Sequence, residues 1–208
     1  MVISQVFAIH PDNPQARILR QAVHIIQNGG LVVYPTDSGY ALGCQLNDSK
    51  ALQRIREIRQ LDKEHNMTLV CRDLSDLATY AKVNNRVFRI LKAFTPGPYT
   101  FILQATSEVP RRMLHPKRRT LGLRIPDHTI ALSLLDALEA PLMSTTLLLP
   151  GADAPLTEPA AIRDILGHQV DLILDGGCCD HQPTSIVDLT GDHPHVLRAG
   201  KGDVSAFE

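Results

Sequence analysis

Gly29 to Cys44 reads GGLVVYPTDSGYALGC. Leu31-Val32-Val33-Tyr34 is a β-branched and aromatic run of the kind that fills a buried strand. Pro35 is expected to end the ladder, and Thr36, Asp37 and Ser38 then place three oxygen-bearing side chains in a row before Gly39. Gly39 and Gly43 permit a tight turn or a close approach to a ligand. A strand that runs into a polar, glycine-bearing turn is where open α/β sheets hold ligands. Local turn hydrogen bonds from Thr36 and Asp37 explain the same composition, and the stretch alone does not separate the two readings.

Working outward, Val6–Ile9 reads as a short strand and Asp12-Asn13-Pro14 as a helix start with a capping side chain. Leu19, Ala22, Val23 and Ile26 make one apolar stripe, closed by Gly29-Gly30. Asp48 or Ser49 caps a helix whose Leu52, Ile55 and Ile58 face inward. Met67–Cys71 reads as a strand, 73–76 opens a short helix, and Asn84–Phe94 is helical up to Thr95-Pro96-Gly97-Pro98. Tyr99–Gln104 and Leu121–Ile125 are strands, His128–Glu139 a helix, and Pro141–Thr146 a strand that runs into the apolar Leu147–Gly151. Pro159–Leu166 is helical, and Val170–Leu174, Ile186–Leu189 and His195–Arg198 are strands. Strands and helices mix without strict alternation, which predicts an α/β fold with a mixed, twisted sheet and helices packed on it.

Composition bounds the rest. The 208 residues are 44% apolar and 21% charged, which suits a single globular domain over 1–208. The net charge of −1 argues against nucleic-acid binding by overall charge, so any such role needs local charge. Four cysteines, Cys44, Cys71, Cys178 and Cys179, match no zinc or redox spacing and suit a reduced, cytoplasmic setting. No secretory leader is apparent at the start and no run of about 18 apolar residues exists.

Arg111–Arg124 reads RRMLHPKRRTLGLR, six Lys or Arg in 14 residues with no acid among them. Such a segment is an electrostatic footprint for phosphate, or else a solvated loop. Arg124 sits in a strand, where a charge needs a partner: a bound anion, or an acid such as Asp127. Arg54, Arg56 and Arg59 add cations on the helix after Asp48, with Lys63 beyond. The rigid 95–98 segment is expected to form a pocket wall. Ser144 and Thr146 end a strand and suit either donation to an anion or local backbone bonding. There is no phosphate-binding glycine loop, the nine histidines show no metal spacing, and no catalytic triad or carboxylate pair stands out. A polar cleft with a basic rim, suited to a phosphorylated ligand, is as far as the residues alone lead.

The motifs in order resemble one family. Tyr34-Pro35-Thr36-Asp37-Ser38-Gly39-Tyr40-Ala41-Leu42-Gly43, Thr95–Thr100, Leu123–Pro126, Ser144-Thr145-Thr146, Pro183–Asp188 and Arg198-Ala199-Gly200 look like the signatures of the YrdC-like family. IHPDNPQ and the IRQL to CRDLS segment place the chain nearest its YciO branch. The resemblance implies a twisted open mixed sheet with flanking helices and a concave basic face. It further implies double-stranded RNA or tRNA as a partner, and nucleotide binding. The family's enzymes are threonylcarbamoyl-AMP synthases, which join L-threonine, bicarbonate and ATP, with magnesium on the phosphates, for tRNA threonylcarbamoyladenosine. By position, Thr36, Tyr40, Arg59, Arg124, Ser144, Thr146, Thr184 and Arg198 would line the substrate and nucleotide pocket. Arg111, Arg112, Lys117, Arg118 and Arg119 would contact RNA. Arg59 falls where the family has the Lys of K-x-R, Leu61 where it has the Arg, and Leu148 where it has the Asn of S-x-N. The resemblance thus implies RNA or nucleotide binding first. A synthase weakened by Leu61 and Leu148 is the alternative, and a different small ligand is the third reading.

Overall fold

The computed structural model describes residues 3–62, 65, 67–114 and 117–207, without the side chain of Arg112. Lys63 and Arg112's side chain therefore lie outside the described set. The described strands form a single ten-stranded sheet. They are β1 (Gln5–Ala8), β2 (Val32–Thr36), β3 (Gly39–Gln45), β4 (Thr68–Val70), β5 (Tyr99–Gln104), β6 (Thr120–Arg124), β7 (Leu142–Thr146), β8 (Leu172–Asp175), β9 (Ser185–Asp188) and β10 (His195–Arg198). Their order is β1-β8-β2-β3-β7-β4-β6-β5-β9-β10. Pairing is mixed: β4 with β6 and β5 with β9 run parallel, whereas β3 with β7 and β5 with β6 run antiparallel.

The helices are α1 (Ala16–Gln27), α2 (Ser49–Arg59), α3 (Leu74–Tyr80), α4 (Asn85–Phe94), α5 (Thr129–Leu138) and α6 (Pro159–Leu166). Asp48, Asp73 and Asn84 cap α2, α3 and α4 by accepting first-turn N–H groups, as short polar side chains do at N-caps. The expected cap of α1 at Asp12 is not made. Gln15 precedes the helix without a side-chain cap: its Oε1 accepts the N–H of His10 at 3.1 Å instead, and the N–H groups of Asp12 and Asn13 donate to His10 Nδ1 at 3.2 and 3.1 Å.

Pro35, contrary to the expectation from sequence, does not end its strand. β2 continues to Thr36, and Asp37-Ser38 turns the chain directly into β3 with Thr36 opposite Gly39. A proline is tolerated there because the ladder from β8 to β2 is confined to Val32 and Val33, so the missing N–H interrupts little. Gly39 takes φ +106°, a left-handed conformation that favours glycine. Gly43 serves packing rather than turning: a Cβ there would lie 2.9 Å from Tyr34 Cε1.

Two apolar clusters sandwich the sheet. On one face Leu42, Leu69, Phe101, Leu123 and Met143 pack with residues of α2, α3, α4 and α6. On the other, Val32, Tyr34, Ala41, Leu142 and Leu172 pack beneath α1 and α5. Because successive strand residues alternate faces, the second face of β5, β6 and β9 carries Thr100, Ile102, Gly122, Arg124 and Ile186. The second cluster includes no residue of those three strands.

Candidate functional site

That second face is the floor of a cleft of about 580 Å³, within the roughly 300–1,000 Å³ range of small-ligand sites. β2 and β7 contribute Tyr34, Thr36, Ser144 and Thr146, β4 Thr68, β5 Thr100 and Ile102, and β6 Arg124. Arg59 at the end of α2, His65, Leu148, Asp153, His181, Thr184 and Arg198 stand around it. Gly122 lies between Thr100 and Thr68, where a Cβ would meet Thr100 Cγ2 at 2.9 Å and Thr68 Oγ1 at 3.0 Å. Glycine keeps the floor open there.

Most of the hydroxyls are already committed. Ser144 Oγ donates to Leu42 O at 2.8 Å, so the bond of 2.9 Å to Tyr34 Oη runs from the phenol to the serine. Ser144 thus spends its proton on the backbone, the second of the two roles that its strand-end position suits. Thr36 Oγ1 donates to Gly39 O at 2.7 Å and accepts Ser38 N–H, which is the local turn bond. Tyr40 Oη donates to Gly177 O at 2.7 Å, tying the 176–177 backbone to β3. Full burial pushes the Tyr34 phenol up to about 12, so it stays neutral.

Three arginines enter the cleft in two electrostatic conditions. Arg124, its side chain 7% exposed, pairs through Nη2 with Asp37 Oδ1. The partner is thus an acid of this chain, though not Asp127, whose N–H instead donates to Asp37 Oδ2 at 3.1 Å. Arg198 donates from Nε to Thr184 O at 2.9 Å and from Nη2 to Thr184 Oγ1 at 3.1 Å. Thr184 in turn shares a 3.0 Å bond with Thr100. Arg59 Nε is buried and finds no partner among the described residues. No carboxylate of the described residues forms an ion pair with Arg59 or Arg198. Burial lowers the pKa of both guanidiniums, with no acid opposing it. His65 is also pushed down, first by burial and then by Arg59.

The structure brings Thr36, Tyr40, Arg59, Arg124, Ser144, Thr146, Thr184 and Arg198 into this one cleft. Leu148 lines it too, whereas Leu61 packs against the larger core instead. Leu147 is fully buried. Among the described residues, the arginines of the cleft are Arg59, Arg124 and Arg198, and Arg111, Lys117, Arg118 and Arg119, which are exposed, are not among its lining. Thr95 and Pro96 border a separate groove beside Arg72 and Leu132 rather than the cleft. Sequence reasoning missed Thr100, His65, Asp153 and His181. Thr100 closes the Thr95–Thr100 motif, a signal that was available.

This fold and cleft define a class. The family model Sua5_yciO_yrdC, described as telomere recombination, matches residues 24–200, and the chain belongs to that family. Within it, the chain is 55% identical to YciO of Escherichia coli K12 over 205 residues, 99% of this chain and 100% of that protein. The crystal structure of E. coli YciO superposes with a TM-score of 0.97, over 99% of this chain and 100% of that one. Sua5 of Pyrococcus abyssi, complexed with L-threonine, superposes at 0.87 with 26% identity, over 95% of this chain and 58% of that one. The threonylcarbamoyl-AMP synthase of that organism is 29% identical over 184 residues, 88% of this chain but 54% of its own length. Among the described residues no helix is long and apolar enough to cross a membrane.

Proposed function

We propose that the cleft binds a nucleotide-type anion of the threonylcarbamoyl-AMP class, and that synthase chemistry on L-threonine, bicarbonate and ATP is weak. The carrying observation is that Arg59 and Arg198 line a hydroxylated cleft with no carboxylate partner among the described residues. Arg59 is partly buried and Arg198 stands on an exposed strand, and two cations that face one cleft without an acid suit an anion from outside. The P. abyssi homologues, one bound to L-threonine and one named for the acyl-adenylate, support the same ligand class. In such a reaction a carbamate on the threonine amine attacks the α-phosphate and pyrophosphate leaves, so the protein's share is positioning and charge stabilisation. Arg59 and Arg198 would hold phosphate oxygens. Leu148 presents hydrocarbon to the cleft, which supports slow chemistry. Magnesium would arrive on the nucleotide's phosphates.

Calorimetry with ATP, AMP and threonylcarbamoyl-AMP, beside an assay for threonine-dependent adenylate formation, tests this reading. Binding by the unmodified chain, with product formation raised by Leu148→Asn, is the expected result. No binding of any of the three at millimolar concentration overturns it.

A second reading, duplex RNA binding, is supported by the exposure of Arg111, Lys117, Arg118 and Arg119 on one loop. Each phosphate contact should contribute roughly 0.7–0.9 to the logarithmic salt slope. Replacing all four by Ser should flatten that slope, and an unchanged slope rejects the reading. Cytoplasmic action fits either.

A further inference from the structure

Arg59 and Arg198 differ from Arg124 in one respect that geometry fixes: among the described residues, only Arg124 of the three has a carboxylate partner. Asp37 is held from three directions. Its Oδ1 takes Arg124 Nη2, its Oδ2 takes the N–H of Asp127 at 3.1 Å, and its carbonyl takes Lys201 Nζ at 2.6 Å. Lys201 is itself anchored on Asp180 at 2.8 Å. The pair is shut away, with 7% and 10% of the Arg124 and Asp37 side chains exposed. An incoming phosphate or carboxylate would have to displace Asp37 and leave that buried carboxylate without its cation, which is strongly unfavourable, so it has no cheap route to that face. Arg124 lines the cleft, and Asp37 takes only part of its five-donor fork, while its Nε is buried and without a partner among the described residues; what it still has to offer is hydrogen-bond donors without net charge.

We propose that Asp37 is a specificity-determining residue that withholds Arg124 from anions. The compensated pair offers the cleft hydrogen-bond donors without net charge, matched to carbonyl or hydroxyl oxygens of the ligand. The ligand's phosphates go to Arg59 and Arg198, which have no carboxylate partner among the described residues. The cleft thereby has a polarity, charged at the α2 and β10 side and neutral over β6, which sets which way round an acyl nucleotide lies. This inference rests on the anion-binding reading above and adds the direction of binding to it.

The test is a titration of the full-length chain, labelled with 15N in arginine side chains, with inorganic pyrophosphate. The Nε–H signals of Arg59 and Arg198 should shift while that of Arg124 stays in place. In Asp37→Asn, whose amide oxygen can still accept from Asp127, Arg124 becomes an uncompensated cation. Its signal should then move, and pyrophosphate should bind about tenfold more tightly, as one added charge-assisted bond implies. Asp37→Asn/Arg124→Gln should lose that gain. An Arg124 signal in the unmodified chain that moves as far as that of Arg198 overturns the proposal. A folded Asp37→Asn with affinity unchanged within twofold also overturns it. Should Asp37→Asn fail to fold, the titration of the unmodified chain decides by itself. If none of the three signals moves, the anion reading of the cleft falls and this proposal falls with it, an outcome distinct from a response at Arg124.

Discussion

The two faces of β5 and β6 are built from alternate residues of the same short segments, yet they do opposite work. One face holds Phe101, Leu103, Leu121 and Leu123, all buried in the larger core. The other holds Thr100, Ile102, Gly122 and Arg124, with Thr100, Ile102 and Arg124 lining the cleft. Apolar burial of roughly 25 cal/mol per Å² on the first face stabilises the sheet without any directional bond. Polar groups on the second must be matched one by one, as Thr100 is to Thr184, Thr184 to Arg198, and Arg124 to Asp37. Stability and recognition are therefore separable by a shift of a single residue along one strand.

That separation can be broken from either side. Phe101→Ala should have the largest effect, a loss of about 3–5 kcal/mol in urea unfolding, with pyrophosphate affinity of the remaining folded protein little changed. Next comes alkaline pH. Cys44 is raised from 9.0 and Tyr34 from 10.0, each to about 12 by burial. Their neutral forms are favoured in the folded state, so that contribution is whole below pH 9 and is lost as pH climbs from 9 through 12. Tyr34 alone should account for about 3 kcal/mol of that loss, and Tyr34→Phe should flatten the stability curve above pH 10. Arg198→Met should reverse the Phe101 pattern. Pyrophosphate should bind on the order of 10- to 100-fold more weakly, as loss of a charge-assisted bond predicts, while the urea midpoint moves little. The smallest change expected is from Thr100→Val, about 1 kcal/mol, because one hydrogen bond in the floor is lost while the volume is kept. If Thr100→Val proved as damaging as Phe101→Ala, the division between the faces would not hold.

Local chemistry was legible in the sequence where one signal dominated. β5, α6 and β10 have the bounds read from apolar runs and flanking turns. The β2–β3 turn was misread because a proline normally ends a ladder, and its tolerance depends on β8 pairing with β2 only at Val32 and Val33, a tertiary fact. Motif resemblance pointed to Thr36, Arg59, Arg124 and Arg198, which the fold gathers into one cleft. What each can do was not legible. Asp37 reaches Arg124 across 87 residues of chain, and Ser144 gives its proton to Leu42 across 102. Both follow from a strand order that no local pattern encodes. The basic loop illustrates the converse, since charge density along the chain says nothing about which face of the sheet the charges reach.

Among the described residues, β10, which carries Arg198, is the last strand of the sheet and pairs with β9 alone, through a ladder that shifts register between Val196 and Arg198. Leu197 beside it is 50% exposed. Edge amides lacking an outer neighbour open to solvent at low free-energy cost, whereas Arg124 stands on β6 with strands on both sides. In hydrogen exchange the cleft should behave as a clamp with one fixed jaw and one sprung jaw. Slow amides in β6 would report global unfolding, and fast amides in β10 would slow only when a ligand bridges the two.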